Sequence, residues 1–295
     1  MKALLPLLVA VAACLSANQR PPMAGFDSSR AFEDLRKIVG IGPRPAGSPG
    51  AARLREYVTE QVKAAGLSVE EQSFDARTPL GVARMVNLRV LIPGADSSRG
   101  RLIIGGHYDT KLFKDITFVG ANDGGSSTAF LVELARVLKS RANPMPIELL
   151  FLDGEEAVID WEGTDHTYGS RYYVESARRE GKLAEIRAFV LVDMIADRDL
   201  RLLREPNSTK WLTDIIWSTA RQMKRREFVH EEFLVEDDHI EFLQAGIPAV
   251  DIIDLDYPAW HTAADTLDKC SAQSLQVVAD VLLAALPDIE KRLLK

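Results

Sequence analysis

The sequence predicts a single α/β domain: a mixed, mostly parallel central sheet with helices on both faces. Three observations lead there. Short, mainly apolar runs at 102–106, 147–152, 188–192 and 248–253 have the length and composition of buried strands. Helical patterns lie between them, which favours parallel strands joined by crossover helices. His107, Glu155, Glu156, Asp193 and His261 all fall just after strand candidates. Ligands in such sheets sit outside the carboxyl ends of the strands, so the fold would gather these residues at one edge.

The elements follow in order. Ser29 is placed to cap a helix over 31–39, with Phe32, Leu35 and Val39 on one face. Residues 40–50 carry repeated glycines with Pro43, Pro45 and Pro49, and read as a loop. Helical spacing returns over 51–65 and stops at Gly66. Residues 67–74 and 85–92 read as strands with partial alternation. The run 102–106 leads into His107-Tyr108-Asp109, and a long loop reaches Asn122. Asp123 opens a helix to about Leu138 and would serve as its N-cap. The strand 147–152 ends in Asp153-Gly154-Glu155-Glu156. Helices are expected over 171–179, 211–224 and 274–294, with a short one after Asp237-Asp238-His239.

Composition bounds the class. The 295 residues are 46% hydrophobic and 27% charged, enough for a full core. A net charge of −7 argues against a nucleic-acid partner. Met1-Lys2 followed by the apolar run 3–13 is a secretory signal pattern too short to span a bilayer. Val11-Ala12-Ala13-Cys14 resembles the lipobox of bacterial lipoproteins. Two processing outcomes fit: a lipid on Cys14 with membrane attachment, or ordinary cleavage a few residues later. Both export the chain to the periplasm or the exterior. We divide the sequence into a signal peptide (1–18), a tether (19–28) and a catalytic domain (29–295), expected to act as a monomer. Without Cys14 only Cys270 remains, so neither an internal disulfide nor a zinc–thiolate site is expected.

Crowded carboxylates need a cation or a shared proton. With thiolates absent, histidine nitrogen and carboxylate oxygen suit zinc. A catalytic zinc site also needs a proton carrier that does not bind the metal. Adjacent Glu155 and Glu156 offer one residue for each task. Plainer roles exist for each residue: Asp123 as a helix cap, Asp237 and Asp238 as an N-cap pair, Asp153 as a loop support. His230 and His239 read as surface or capping residues. Trp161 and Trp260 lie in polar or proline-containing loops and read as pocket walls. Asp109 and Lys111 would support the site, Asp109 by orienting His107. GxxxxGK[ST], HExxH and GxSxG are all absent.

His107-Tyr108-Asp109, Gly120-Ala121-Asn122-Asp123, Asp153-Gly154-Glu155-Glu156, Asp193 and His261 together resemble the zinc aminopeptidase clan. Narrower pieces are Gly47-Ser48-Pro49-Gly50, Trp161 with Tyr168-Gly169-Ser170-Arg171, Asp237-Asp238-His239-Ile240 with Phe242, and Trp260-His261-Thr262. With these, the chain resembles the animal-type glutaminyl cyclases over about 32–282. The resemblance implies one zinc on Asp123, Glu156 and His261, with His107 kept as a non-ligand. It implies Glu155 as general base and acid, Asp193 and Asp238 as acids that organise it, and Trp161 and Trp260 around the substrate. The implied substrates are peptides or proteins with N-terminal glutamine, converted to pyroglutamate with release of ammonia. Two features depart from the family: the run Asp256–Trp260 is one residue short, leaving Tyr257 without an assigned role, and the disulfide common near the animal site cannot form. The runner-up is a two-zinc aminopeptidase with His107, Asp123, Glu156, Asp193 and His261 as ligands. A non-catalytic peptide-binding lipoprotein is the third reading.

Overall fold

The computed structural model describes residues 25–295; the expected signal segment, Cys14 and most of the tether lie outside the described residues. The chain runs α1 (Ser28–Ile41), α2 (Pro49–Ala64), β1 (Glu70–Thr78), β2 (Gly81–Ile92), β3 (Arg101–His107) and α3 (Gly125–Ser140). It continues through β4 (Ile147–Leu152), α4 (Tyr168–Arg179), β5 (Ile186–Asp193), β6 (Leu202–Arg204) and α5 (Lys210–Gln222). It closes with β7 (Phe228–Glu232), α6 (His239–Gln244), β8 (Ala249–Ile253) and α7 (Ala272–Leu293).

Six strands form the main sheet in the order β1-β2-β4-β3-β5-β8. β4, β3, β5 and β8 are parallel; β2 pairs antiparallel with both β1 and β4. The parallel strands are apolar on both faces because both faces are covered. Along β3, Leu102 and Ile104 face the larger core under α1, α2, α3, α5 and α7, while Ile103 faces a smaller one under α4 and α6. The chain goes from β3 to β4 on one side, then crosses to β5 on the other. That reversal opens a crevice at the carboxyl ends of β3 and β5.

Several local expectations are corrected. The cap of α1 is Asp27, whose carboxylate accepts from the Arg30 amide at 3.0 Å, not Ser29. α1 runs through Gly40 to Ile41, and α2 starts at Pro49 behind the Ser48 cap, so the true loop is 42–48. β1 and β2 are one long hairpin, longer than the sequence pattern suggests because its outer half is exposed and polar. β6 and β7 form a separate two-stranded parallel sheet that had no legible apolar pattern.

The 42–48 loop carries a buried cation. Arg44 is fully buried and donates to four carbonyls: Gly42, Tyr108, Val119 and Gly120, at 2.6–3.2 Å. Its backbone amide donates to Thr110 Oγ1 at 2.9 Å. It thereby ties together both ends of the loop between His107 and Asp123. Burial lowers its pKa to about 10, against the pull of Asp265, Asp123 and Asp109, so it stays charged at neutral pH. Arg44→Met strands those carbonyls, and we expect it to cost about 3–5 kcal/mol in a denaturant titration. Lysine cannot reproduce the fork, so Arg44→Lys should recover only a minor part.

Candidate active site

Three strand ends and the loops beyond them supply the site. His107 ends β3, Asp193 ends β5, and Asp153–Glu156 follow β4. Gly154 is held at φ 71°, and a Cβ there would meet Met85 Sδ at 2.6 Å, so glycine is required. That turn aims two successive amides at one acid: Glu155 N and Glu156 N donate to Asp109 at 3.1 and 3.3 Å. Asp109 therefore holds the glutamate pair as well as lying 3.5 Å from His107 Nδ1. Asp153 is structural, as expected, accepting from the Val86 amide at 2.8 Å. Lys111 also supports the pair, its amide donating to Glu156 Oε1 at 3.0 Å.

Asp123 does not cap α3. The cap position is Gly124, with no side-chain cap bond. The Asp123 carboxylate instead turns to two histidines: His107 Nε2 lies 3.2 Å from Oδ1, and His261 Nε2 lies 3.4 Å from Oδ2. Its backbone is fixed by Asp265, which accepts from the amides of Asn122 and Asp123 at 2.8 and 3.1 Å. Asp265 was not legible as a site residue; only its position four residues past His261 hints at it. His261 has φ 54°, as unusual as that of Met194 (47°) beside Asp193 and Thr167 (48°) near Trp161. Non-glycine residues in this region are held by their surroundings and cluster at functional sites.

Two triads can hold a metal ion, and they share Asp123. One is Asp123, Glu156 and His261; the other is His107, Asp123 and Asp193. In the first, His261 Nε2 is 3.2 Å from Glu156 Oε1. In the second, His107 Nε2 is 3.1 Å from Asp193 Oδ1. The donor set is nitrogen and oxygen, as zinc accepts. Asp123 Oδ2 is buried without a hydrogen-bond partner, which leaves it available as a ligand.

The electrostatics ask for a cation. Burial opposes charge on His107, yet Asp193, Glu155, Asp109 and Asp123 raise its pKa well above the usual value. Burial likewise opposes charge on His261, but the adjacent Asp123 and Glu156 carboxylates raise it to about 10. Burial pushes Glu156 up to about 7, with Asp123 adding to the shift and His261 opposing it. The imidazoliums thus supply the charge that a metal would supply, and metal binding would release the His261 proton.

Glu155 stands apart from both triads. It is nearly buried, and burial raises its pKa well above normal; His107 opposes this, while Asp237, Glu156 and Asp238 reinforce it. Asp237 is raised for the same first reason, burial, with Asp193 and Asp238 adding. Glu155, Asp193 and Asp237 all line one cavity of about 270 Å³. Its wall also includes Asp123, Glu156, His261, Trp161 and Trp260. Trp260 stacks on His261 at 4.3 Å and Trp161 on His166 at 4.3 Å. Both tryptophans thus line this cavity.

Asp238 is the exception. It does not line the cavity; it is fully buried, and its Oδ1 accepts from Ser170 Oγ at 2.5 Å. The adjacent Asp237 takes the place expected for it. At the start of a six-residue helix, neighbouring residues point in different directions, so one member of the pair faces the site and the other the core. His239 is also corrected, from surface residue to fully buried, with Glu205 at 3.1 Å and Asp251 at 3.7 Å from its two nitrogens.

The family model for peptidase family M28 matches residues 87–286. A glutaminyl-peptide cyclotransferase-like protein of Mus musculus is 34% identical over 286 residues, covering 85% of this chain and 73% of that protein. The chain belongs to the glutaminyl-peptide cyclotransferases of family M28. The crystal structure of an Acidobacteriales bacterium glutaminyl cyclase matches this cyclotransferase fold with TM-score 0.87 at 38% identity, covering 94% of this chain and 99% of that one. A Fimbriiglobus ruber glutaminyl cyclase matches with TM-score 0.82 at 30% identity, over 90% and 96% of the two chains.

Within this cyclotransferase, Tyr257 is a support. It is buried, and its hydroxyl donates to Asp265 Oδ1 at 2.8 Å, in the network that holds Asp123. Among the described residues the one cysteine, Cys270, is free and buried. The Asp237–Asp238 geometry yields a direct comparison. Asp237→Asn should lower kcat by roughly 10–100-fold, the range for groups that orient a reacting shell. Asp238→Asn keeps the acceptor for Ser170 and should change kcat far less. Steady-state kinetics of the two variants check the order.

Proposed function

We propose that the chain converts N-terminal glutamine of peptides or proteins to pyroglutamate, releasing ammonia, with one zinc held by Asp123, Glu156 and His261. The carrying observation is the 38% identity to a solved glutaminyl cyclase over 94% of this chain. The geometry alone supports metal-assisted chemistry on a small substrate without choosing between an amine and a water nucleophile.

A zinc ion in that triad would act as a Lewis acid on the side-chain amide carbonyl. The protein's own groups do the rest. Trp161 and Trp260 flank the glutamine side chain and limit water. Glu155 takes a proton from the α-amine as its nitrogen bonds to the side-chain carbon, then delivers a proton to the departing ammonia. Asp193 and Asp237 line the same cavity as Glu155 and would help hold the reacting groups there. The nucleophile must be the neutral amine, whose pKa is roughly 7.7–8.0. Activity should therefore rise from neutral to mildly alkaline pH.

The second triad favours a specific alternative, a two-metal aminopeptidase that adds His107 and Asp193 as ligands. Incubation with a glutaminyl peptide and with an aminoacyl reporter separates the two. Ammonia with retention of the peptide bond is the expected result; a free amino acid would overturn it. Export through the 1–18 segment, a lipid on Cys14 and a monomeric state belong to the same reading. The mass of the mature N-terminus tests the first two, and light scattering the third.

A further inference from the structure

We propose that the residue following the N-terminal glutamine is read at the cavity mouth by Leu234, Trp260 and Glu236, and that the site favours lysine or arginine there. This rests on the cyclisation reading and adds its substrate preference. Of the cavity-lining residues, only Leu234, Glu236 and Trp260 are exposed. The remainder are buried or half-buried, so they close the other sides. Glutamine's side-chain amide must reach Asp123, Glu156 and His261, and its amine must reach Glu155. The rest of the peptide then leaves on the side of those three residues and the half-buried Trp161, which the cavity and the adjoining groove share.

Their chemistry matches one kind of side chain. Leu234 is 63% and Trp260 43% exposed, a solvent-facing apolar pair at the mouth. An aliphatic stem lies well against such surface while its charged head stays in water. Glu236 is exposed and, among the described residues, forms no ion pair. It also lines the adjoining polar groove with Trp161 and Asp237, where the acids Glu175 and Glu241 outweigh Arg178 and an Arg171 already paired with Glu241. A cationic head therefore meets an unclaimed carboxylate, and an acidic one meets repulsion.

The test uses three peptides that differ only at the second residue: lysine, norleucine and glutamate. Norleucine keeps the lysine stem without its charge. At low salt, kcat/KM should fall from lysine to norleucine to glutamate by about fivefold per step, the scale of one exposed charge pair near 4 Å. The steps should shrink in high salt. Glu236→Gln should bring lysine and norleucine together, and Glu236→Lys should reverse the order of lysine and glutamate. Asp288→Lys, on α7, makes the same change in net charge and should keep the original order. Equal rates for the three peptides, or an order unmoved by Glu236→Lys, would overturn the proposal while ammonia release still upholds cyclisation. Absence of ammonia from every peptide would overturn both.

Discussion

We expect Glu155→Gln to lose nearly all turnover while retaining bound zinc. Glutamine keeps the shape of glutamate but cannot carry a proton between amine and leaving group. Loss of a positioned acid–base group costs roughly 10²–10⁴ in rate. The structure supports this size of effect because no second carboxylate occupies the same position. Glu156 is committed to His261 and to the Lys111 amide, and Asp193 to His107 and the Met194 amide. Folding should hardly change, since the Glu155 backbone amide donates to Asp109 at 3.1 Å while its carboxylate lies 3.8 Å from His107 Nδ1, beyond hydrogen-bond reach. Kinetics and metal analysis on one sample check both halves. Loss of zinc from this variant would mean that Glu155 and Glu156 have exchanged roles.

Removal of the metal is the second large effect. Chelation, or Asp123→Ala, should eliminate activity, because Asp123 serves either triad. The count of ions is decided by a different residue. His107→Ala should leave one zinc per chain bound if the ion sits with Asp123, Glu156 and His261. A fall from two ions to one would support the aminopeptidase arrangement. Stability should follow. An ion that binds only the folded state adds stability by mass action. The metal-free protein also gains a pH dependence of known sign. Burial raises Glu156 and Asp153 to about 7, well above their unfolded values. Groups raised in this way contribute stability below about pH 4 that is lost as pH rises through about 7. The metal-free protein should therefore melt at lower temperature as pH rises from 5 to 8, and zinc, which would hold Glu156 as a carboxylate, should remove the Glu156 share of that slope. Thermal melts across this range, with and without chelator, read it directly.

The residues that carry chemistry were legible as types and as strand ends. Parallel strands buried on both faces leave short apolar runs, and their ends are marked by the first polar residue. That is why the sequence alone places His107, the Glu155–Glu156 pair and Asp193 at strand ends. Trp161 and Trp260 were legible as walls because large aromatics in polar loops have no core to fill. What could not be read was direction. Asp237 and Asp238 are adjacent and alike, and only the packing of α6 against β5, β8 and Ser170 turns one to the cavity and the other inward. Asp123 looks like a helix cap until His107 and His261 arrive from elsewhere in the chain.

The supports were hidden for a related reason. Arg44, Asp265 and Tyr257 act on backbone atoms far away in sequence, and such pairings leave no periodic trace. The sequence by itself determined the fold class, the strand ends and the donor chemistry, since these follow from apolar periodicity and residue type. Tertiary structure alone decided which carboxylate faces the cavity, which acid holds which amide, and that one aspartate belongs to two triads. Those depend on distances between segments that only folding brings within 3–4 Å.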